Sequence, residues 1–386
     1  MKKLYALRWL LPMSALACAG RGETLLERNY DSDTLDSYRS AIPTEERLVA
    51  GVPAAGPALS DDSAAVLAEQ GVVFARGINH TARDIARTLR LLAQAEPDHF
   101  DAEREEFVWG PWKMPSGPGQ ALLSIHRDSV ATDFEYAYTL LRQMPDEPHS
   151  RTAVVWGGAN LDEENPDHGS GLTAWDLDAN AAFEAKYGDE DELDPAVGQG
   201  RFAMVHGYTS HGTDSVFFNR ATFRDFVAPA ENRASVAAPV SVDHFYGRVA
   251  EPSGAVVDFL HSEIDSDLCG SSPTSCFGSQ PQPGHPERFE FAEFVVDNGS
   301  GRAEVQLSGG DLSSEVAMTE CWNASLTRTS YLLRTDDSAV QMMPSATCAG
   351  RAAQSSEELG LPTPDDVEPW LLSALGCAVD TSCTGD

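Results

Sequence analysis

His206, His211, His244 and His261 fall on or beside segments whose residues alternate in character. Two or three imidazoles converging with a carboxylate would hold a catalytic metal. Their spacing contains no helical His-Glu-x-x-His pair, so only the fold can bring them together. Asp176, Asp178 and Asn180 repeat the first three oxygen ligands of a calcium loop. Ala181 stands where that loop needs Gly and Tyr187 where it needs a bidentate Glu, so the chain carries a fragment of a calcium site, and no cofactor is assigned. The stretch 161–194 holds twelve Asp or Glu and one Lys, and reads as a solvated acidic loop. His168-Gly169-Ser170-Gly171 places a serine between glycines. A strand pattern, Leu172-Thr173-Ala174-Trp175, follows it in place of the helix a nucleophile elbow requires, so it reads as a tight turn entering a strand. A phosphate loop is missing, and the whole chain has four lysines. No catalytic residue is assigned.

Aromatic residues are the other candidates for chemistry. Trp109, Trp112, Trp156, Trp175 and Trp322 share one part of the chain with Tyr136, Tyr138, Phe217, Phe218 and Tyr246. A curved sheet lined with such residues wraps an apolar ligand, and Tyr138, Trp156 and Trp175 are the residues expected to line it. An ordinary filled core would use the same side chains.

From residue 107 the apolar period is two and stays so for about 230 residues. Tyr136, Tyr138 and Leu140 alternate with Ala137 and Thr139, and Ala303, Val305 and Leu307 with Glu304 and Gln306. One apolar face per strand, with no helices between strands, predicts an antiparallel meander of nine to twelve strands. Such a meander must curl, close or split into two layers to hide its edges. Upstream, residues 61–71 predict a short helix and 78–95 a longer one, in which Ile78, Ala82, Ile85, Leu89 and Leu92 recur at helical spacing. The expected fold is mainly β (α+β): a large curved antiparallel sheet, half-barrel or barrel-like, with one or two N-terminal helices packed on it. In domain terms, residues 61–100 are a helical segment, 101–350 the β domain and 351–386 a tail with a short helix near 365–375.

The chain has 386 residues, 60 of them acidic and 27 Lys or Arg, for a formal charge of −33. Such a charge excludes a nucleic-acid binder. Lys2 and Lys3, an apolar run and the small residues Ser14-Ala15-Leu16-Ala17 make residues 1–17 a bacterial secretory leader, whose removal takes the charge to −36. Ala15-Leu16-Ala17-Cys18 resembles the lipobox of bacterial lipoproteins. That likeness implies a diacylglycerol on the Cys18 thiol, palmitate-type chains in the membrane, and residues 18–60 as a flexible tether. Ala19 rather than Asp after the cysteine implies an exported cell-envelope protein sent to the outer membrane. Six further cysteines read as disulfides in an oxidising compartment, and proximity suggests Cys269 with Cys276, Cys321 with Cys348 and Cys377 with Cys383, among fifteen formal pairings.

Trp109-Gly110-Pro111-Trp112, Gly169-Ser170-Gly171 leading into Asp176, Gly309-Gly310-Asp311-Leu312 and Glu320-Cys321-Trp322 together resemble an uncharacterised group of predicted lipoproteins from Gram-negative bacteria, over residues 107–348. The resemblance implies no catalytic residues. The order of elements, helix before meander, is also similar to the half-barrels of lipoprotein carriers, a likeness of architecture alone. The expected function is non-enzymatic: a lipid-anchored envelope protein that binds an apolar small molecule or an envelope protein. The alternatives are an exported hydrolase with a calcium or histidine site, and a pocketless adhesion or structural protein.

Overall fold

A computed structural model describes residues 30–48, 65–114, 117–127, 134–162, 165, 168–188, 198–227, 239–267, 284–335, 338–343, 359 and 361–362. Three helices come first: α1 (Ser32–Ser40), α2 (Glu45–Leu48) and α3 (Val66–Gln94). Strands β1 (His99–Asp101), β2 (Glu106–Lys113), β3 (Gln120–Arg127), β4 (Tyr136–Met144), β5 (Glu147–Leu161) and β6 (Gly169–Asp176) follow. Helix α4 (Leu177–Tyr187) then interrupts the meander. Beyond it run β7 (Gln199–His211), β8 (Asp214–Val227), β9 (Val240–Ala250), β10 (Val256–Ser266) and β11 (Glu287–Val296). The sheet finishes with β12 (Gly301–Gly309), β13 (Val316–Trp322), β14 (Arg328–Thr335) and β15 (Ser338–Met343).

All fifteen strands form one antiparallel sheet in sequence order, and among the described residues β1 and β15 each pair with a single neighbour, so the sheet stays open. The expected architecture is borne out, with more strands than the nine to twelve anticipated. One sheet face is covered by α1, α2 and α3. Tyr38, Leu48 and Leu89 join Phe107, Leu123, Tyr138 and Met204 in one apolar cluster, while Leu67 and Ala75 join Tyr246, Leu260, Phe291 and Trp322 in another. A third cluster lies on the opposite face, where Phe218, Phe245, Val249 and Phe294 are joined by Leu359 and Leu361 from the tail.

Helix α3 spans the covered face. At its first turn the Leu67 N–H donates to Glu320 of β13, and past its last turn the Ala95 carbonyl accepts from the indole of Trp109 in β2. Those anchors are roughly 53 Å apart along the sheet at the usual strand spacing, against about 42 Å along the helix. The sheet curls to bring them within reach. The helix buries Ala68, Val72, Ala75, Asn79, Ala82, Ala86, Leu89 and Ala93, a mostly small stripe at alternating spacings of four and three that permits close approach. Arg76, Arg83 and Arg87 are exposed.

Neither end of α3 caps itself: Ala65 offers no side-chain oxygen and the last turn has no basic residue. The Glu320 carboxylate takes the Leu67 N–H at 2.6 Å, and the Arg39 guanidinium of α1 donates to the Ala93, Gln94 and Ala95 carbonyls at 2.8–3.3 Å. An anion at the positive end and a cation at the negative end complement the helix dipole.

Four expectations need correction. Over the described residues, the helices anticipated at 61–71 and 78–95 are parts of one continuous element, because the buried stripe runs on through Gly71, Ala75 and Asn79. Residues 32–48, assigned to the tether, form α1, α2 and the turn between them, and their Tyr38, Ile42 and Leu48 are buried in the core. Part of the acidic stretch is α4, capped by Asp176 and buried through Leu177, Phe183 and Glu184. The turn anticipated at residues 168–171 is the start of β6 instead. The leader, Cys18, the 365–375 helix and Cys269, Cys276, Cys348, Cys377 and Cys383 lie outside the described residues. Cys321 is disulfide-bonded.

Candidate functional site

Cross-strand register lines up one residue per strand beneath the helices. Tyr136, Ala159, Gly171, His206, Asn219, Tyr246, Leu260, Glu293, Ala303, Glu320 and Tyr331 oppose one another in turn from β4 to β14. Every member is buried. The row follows α3, with Glu320 at Leu67 and Glu293 packed so closely on Gly71 that a Cβ there would collide with the carboxylate. The two covered apolar clusters meet at β7 to β9, and the row is polar at that junction.

His206 is the least satisfied member. Its imidazole is 2% exposed, and neither ring nitrogen has a hydrogen-bond partner among the described residues. A buried polar group without a partner costs several kcal/mol in apolar surroundings, roughly 1–3 by mutational measures. Gly171, its neighbour on β6, makes room for the ring: a Cβ there would lie 2.6 Å from His206 Cε1. On the other side the Asn219 amide donates Nδ2–H to the Leu48 carbonyl of α2 at 2.6 Å, which fixes its orientation and leaves Oδ1 an acceptor without a partner. One step along, His244 Nδ1 shares a hydrogen bond with Ser262 Oγ at 2.7 Å, while Nε2 has none.

Burial sets the protonation of these groups. Desolvation, with the Arg47 charge adding to it, pushes His206 down to about 3, and desolvation with a smaller contribution from His261 does the same for His244. Both imidazoles are therefore neutral at ordinary pH, each offering one N–H donor and one acceptor nitrogen. Burial and then the Asp258 charge push Glu293 well above the usual carboxylate range. Asp258 itself stays occupied, accepting from Tyr246 Oη at 2.6 Å and Arg248 Nε at 2.7 Å.

The anticipated ligand residues split between faces. Tyr138 is buried on the covered face, its hydroxyl 2.5 Å from Thr173 Oγ1 and donating to the Leu172 carbonyl. Trp175 faces the same way at the margin of the first cluster. Trp156 faces the other way, against Phe134 and the third cluster, and so lies outside the covered face. The histidines do not gather either. His206 and His244 face the helices from β7 and β9 with β8 between them, His261 pairs with Phe245 on the opposite face, and His211 pairs with Asp214 at the β7–β8 hairpin end. Asp176, Asp178 and Asn180 take separate partners at the start of α4: the Ala179 amide, the Gly200 amide and Arg142. Among the described residues no three His, Cys, Asp or Glu group as metal ligands.

Asn219 and Glu293 escaped the sequence reading, and Tyr246 and Glu320 entered it only as one aromatic among several and as part of a motif. Both faces of β8 and β9 are buried, so Asn219 sits in a run (Phe217-Phe218-Asn219-Arg220-Ala221) with no clean alternation to mark its direction. Glu290 and Glu293 differ by three and so face opposite sides, a phase readable only once register is known. Compared with protein-family models, curated proteins and solved structures, the chain matches none.

Proposed function

We propose that this chain is a non-enzymatic, lipid-anchored protein of the cell envelope that holds an apolar or amphipathic small molecule between its curved sheet and helix α3. The observation that carries the reading is the manner of closure. A fifteen-stranded open sheet has one of its two apolar faces covered by α3 and two short helices rather than by a second sheet. Small buried side chains and charged ties at its two ends hold α3 in place. A cover of that kind can lift without breaking any strand pairing. The lipobox-like Cys18 supports the membrane anchor, and the strongly acidic surface keeps the body from anionic surfaces. The hydrolase alternative requires converging histidines, and the register separates them.

Native mass spectrometry of the full chain, exported to an oxidising periplasm, tests the binding reading. An apolar mass that co-purifies and leaves on denaturation is the expected result; a bare protein that also fails to take up added hexadecane or monopalmitoylglycerol refutes it. For the anchor, Cys18→Ser should move the protein from the membrane to the soluble fraction, and retention after a carbonate wash contradicts lipidation.

A further inference from the structure

Resting on that reading, we propose that His206 and Asn219 form the head-group subsite of the covered face and select an uncharged, hydroxyl-bearing amphipath. The pair are direct cross-strand partners on β7 and β8, both at most 2% exposed, under α2 and at the junction of the two apolar clusters. Their free hydrogen-bonding atoms are of mixed kind. Asn219 offers only its Oδ1 acceptor, because Nδ2 donates to the Leu48 carbonyl, while a neutral imidazole brings one donor and one acceptor. One hydroxyl meets two of the three, donating to Asn219 Oδ1 while accepting from the His206 N–H, and a second hydroxyl can donate to the remaining imidazole nitrogen. His244 Nε2 on β9 extends the same polar strip toward Ser262.

An anionic head group fits poorly. It would bring its oxygens against the Asn219 acceptor and could donate no proton to it. Arg47, a buried cation, acts on His206 and would attract an anion, which makes palmitate the discriminating probe. Acyl chains would lie on either side, against Met204, Ala221 and Tyr138 or against Leu260 and Phe291. An imidazole kept in an apolar interior with neither nitrogen used is a stability cost that a leucine would avoid, a pattern expected of a recognition residue. Gly171 fits the same reading, since it keeps the floor beside the ring clear.

The test uses the full exported chain and three probes with one chain length: monopalmitoylglycerol, palmitate and hexadecane. Wild type should bind monopalmitoylglycerol at least tenfold more tightly than hexadecane, with palmitate below monopalmitoylglycerol. His206→Leu should bring the first ratio to within threefold while hexadecane binding is unchanged, and His206→Gln, which keeps a donor and an acceptor, should recover part of it. Gly171→Ala, which crowds the ring without altering its chemistry, should lower monopalmitoylglycerol affinity selectively, and serves if His206→Leu does not fold. Palmitate binding most tightly, or an unchanged ratio in the folded variants, overturns the subsite while leaving the binding face standing. Failure of all three probes to bind wild type overturns both.

Discussion

Arg142 and His206 are each 2% exposed on the covered face of the same sheet, and they are treated in opposite ways. Arg142 is surrounded: Nη1 donates to Asn180 Oδ1 and Glu184 Oε1 at 2.7 Å each, Nη2 to the Pro118 carbonyl at 2.5 Å, and its guanidinium lies 4.8 Å from the Phe183 ring centre. Desolvation lowers its pKa and the Glu184 hydrogen bond opposes the shift. Helix α4 presents Asn180, Phe183 and Glu184 on one face, so this polar cluster welds α4 to β4. His206 has no such surroundings; the nearby helix, α2, gives its Leu48 carbonyl to Asn219 and, among the described residues, no hydrogen bond to the ring. The first cluster is a structural joint and the second a place where hydrogen-bonding capacity is held unused.

Removing the joint should have the largest effect. Arg142→Ala leaves Glu184 buried without its charged partner, and urea unfolding should show a loss of about 3–5 kcal/mol. A loss under 1 kcal/mol would erase the contrast. Glu320→Ala tests whether the row has structural members too: it strips the first turn of α3 of its acceptor and Arg328 of a carboxylate at 2.7 Å, and should cost about 1.5–3 kcal/mol.

Acidification sharpens the comparison from the other side. The unfolded chain protonates a histidine below about 6.5, whereas folded His206 resists down to about 3, so keeping the ring neutral carries no protonation cost above 6.5 and an increasing one as pH falls. Between pH 7 and 5 that amounts to about 2 kcal/mol for His206, and His244 behaves alike. Glu293 runs oppositely: its raised pKa keeps a proton that the unfolded chain gives up above about 4.5, so its burial costs stability as pH rises. Urea midpoints of wild type and His206→Leu at both pH values isolate the His206 share, and parallel acid losses would contradict a neutral buried ring. The smallest effect is expected at pH 7, where His206→Leu should leave stability unchanged or raise it by up to about 1 kcal/mol. A fall of 2 kcal/mol would place His206 with Arg142 as a structural residue.

Strand content was legible because one-sided burial writes a period of two into segments such as Tyr136 to Leu140 and Ala303 to Leu307. Helix α3 was legible only in part, since its stripe of Ala and Gly carries little hydrophobic signal and its caps, Glu320 and Arg39, come from remote segments. Trp156 was placed with Tyr138 on composition, although a single step of register decides which face a residue joins. His206 was visible as a candidate for metal chemistry, but its cross-strand partner Asn219 depends on pairings that spacing along the chain does not encode.

Hydrogen–deuterium exchange along residues 66–94 of the full chain, with and without monopalmitoylglycerol, tests the claim that α3 covers a binding face. Small side chains and end ties predict that the middle of α3 exchanges faster than β7–β9 in the free protein and becomes protected when the ligand is added. Exchange in α3 as slow as in those strands and unmoved by ligand would contradict the claim and leave the covered face as ordinary core.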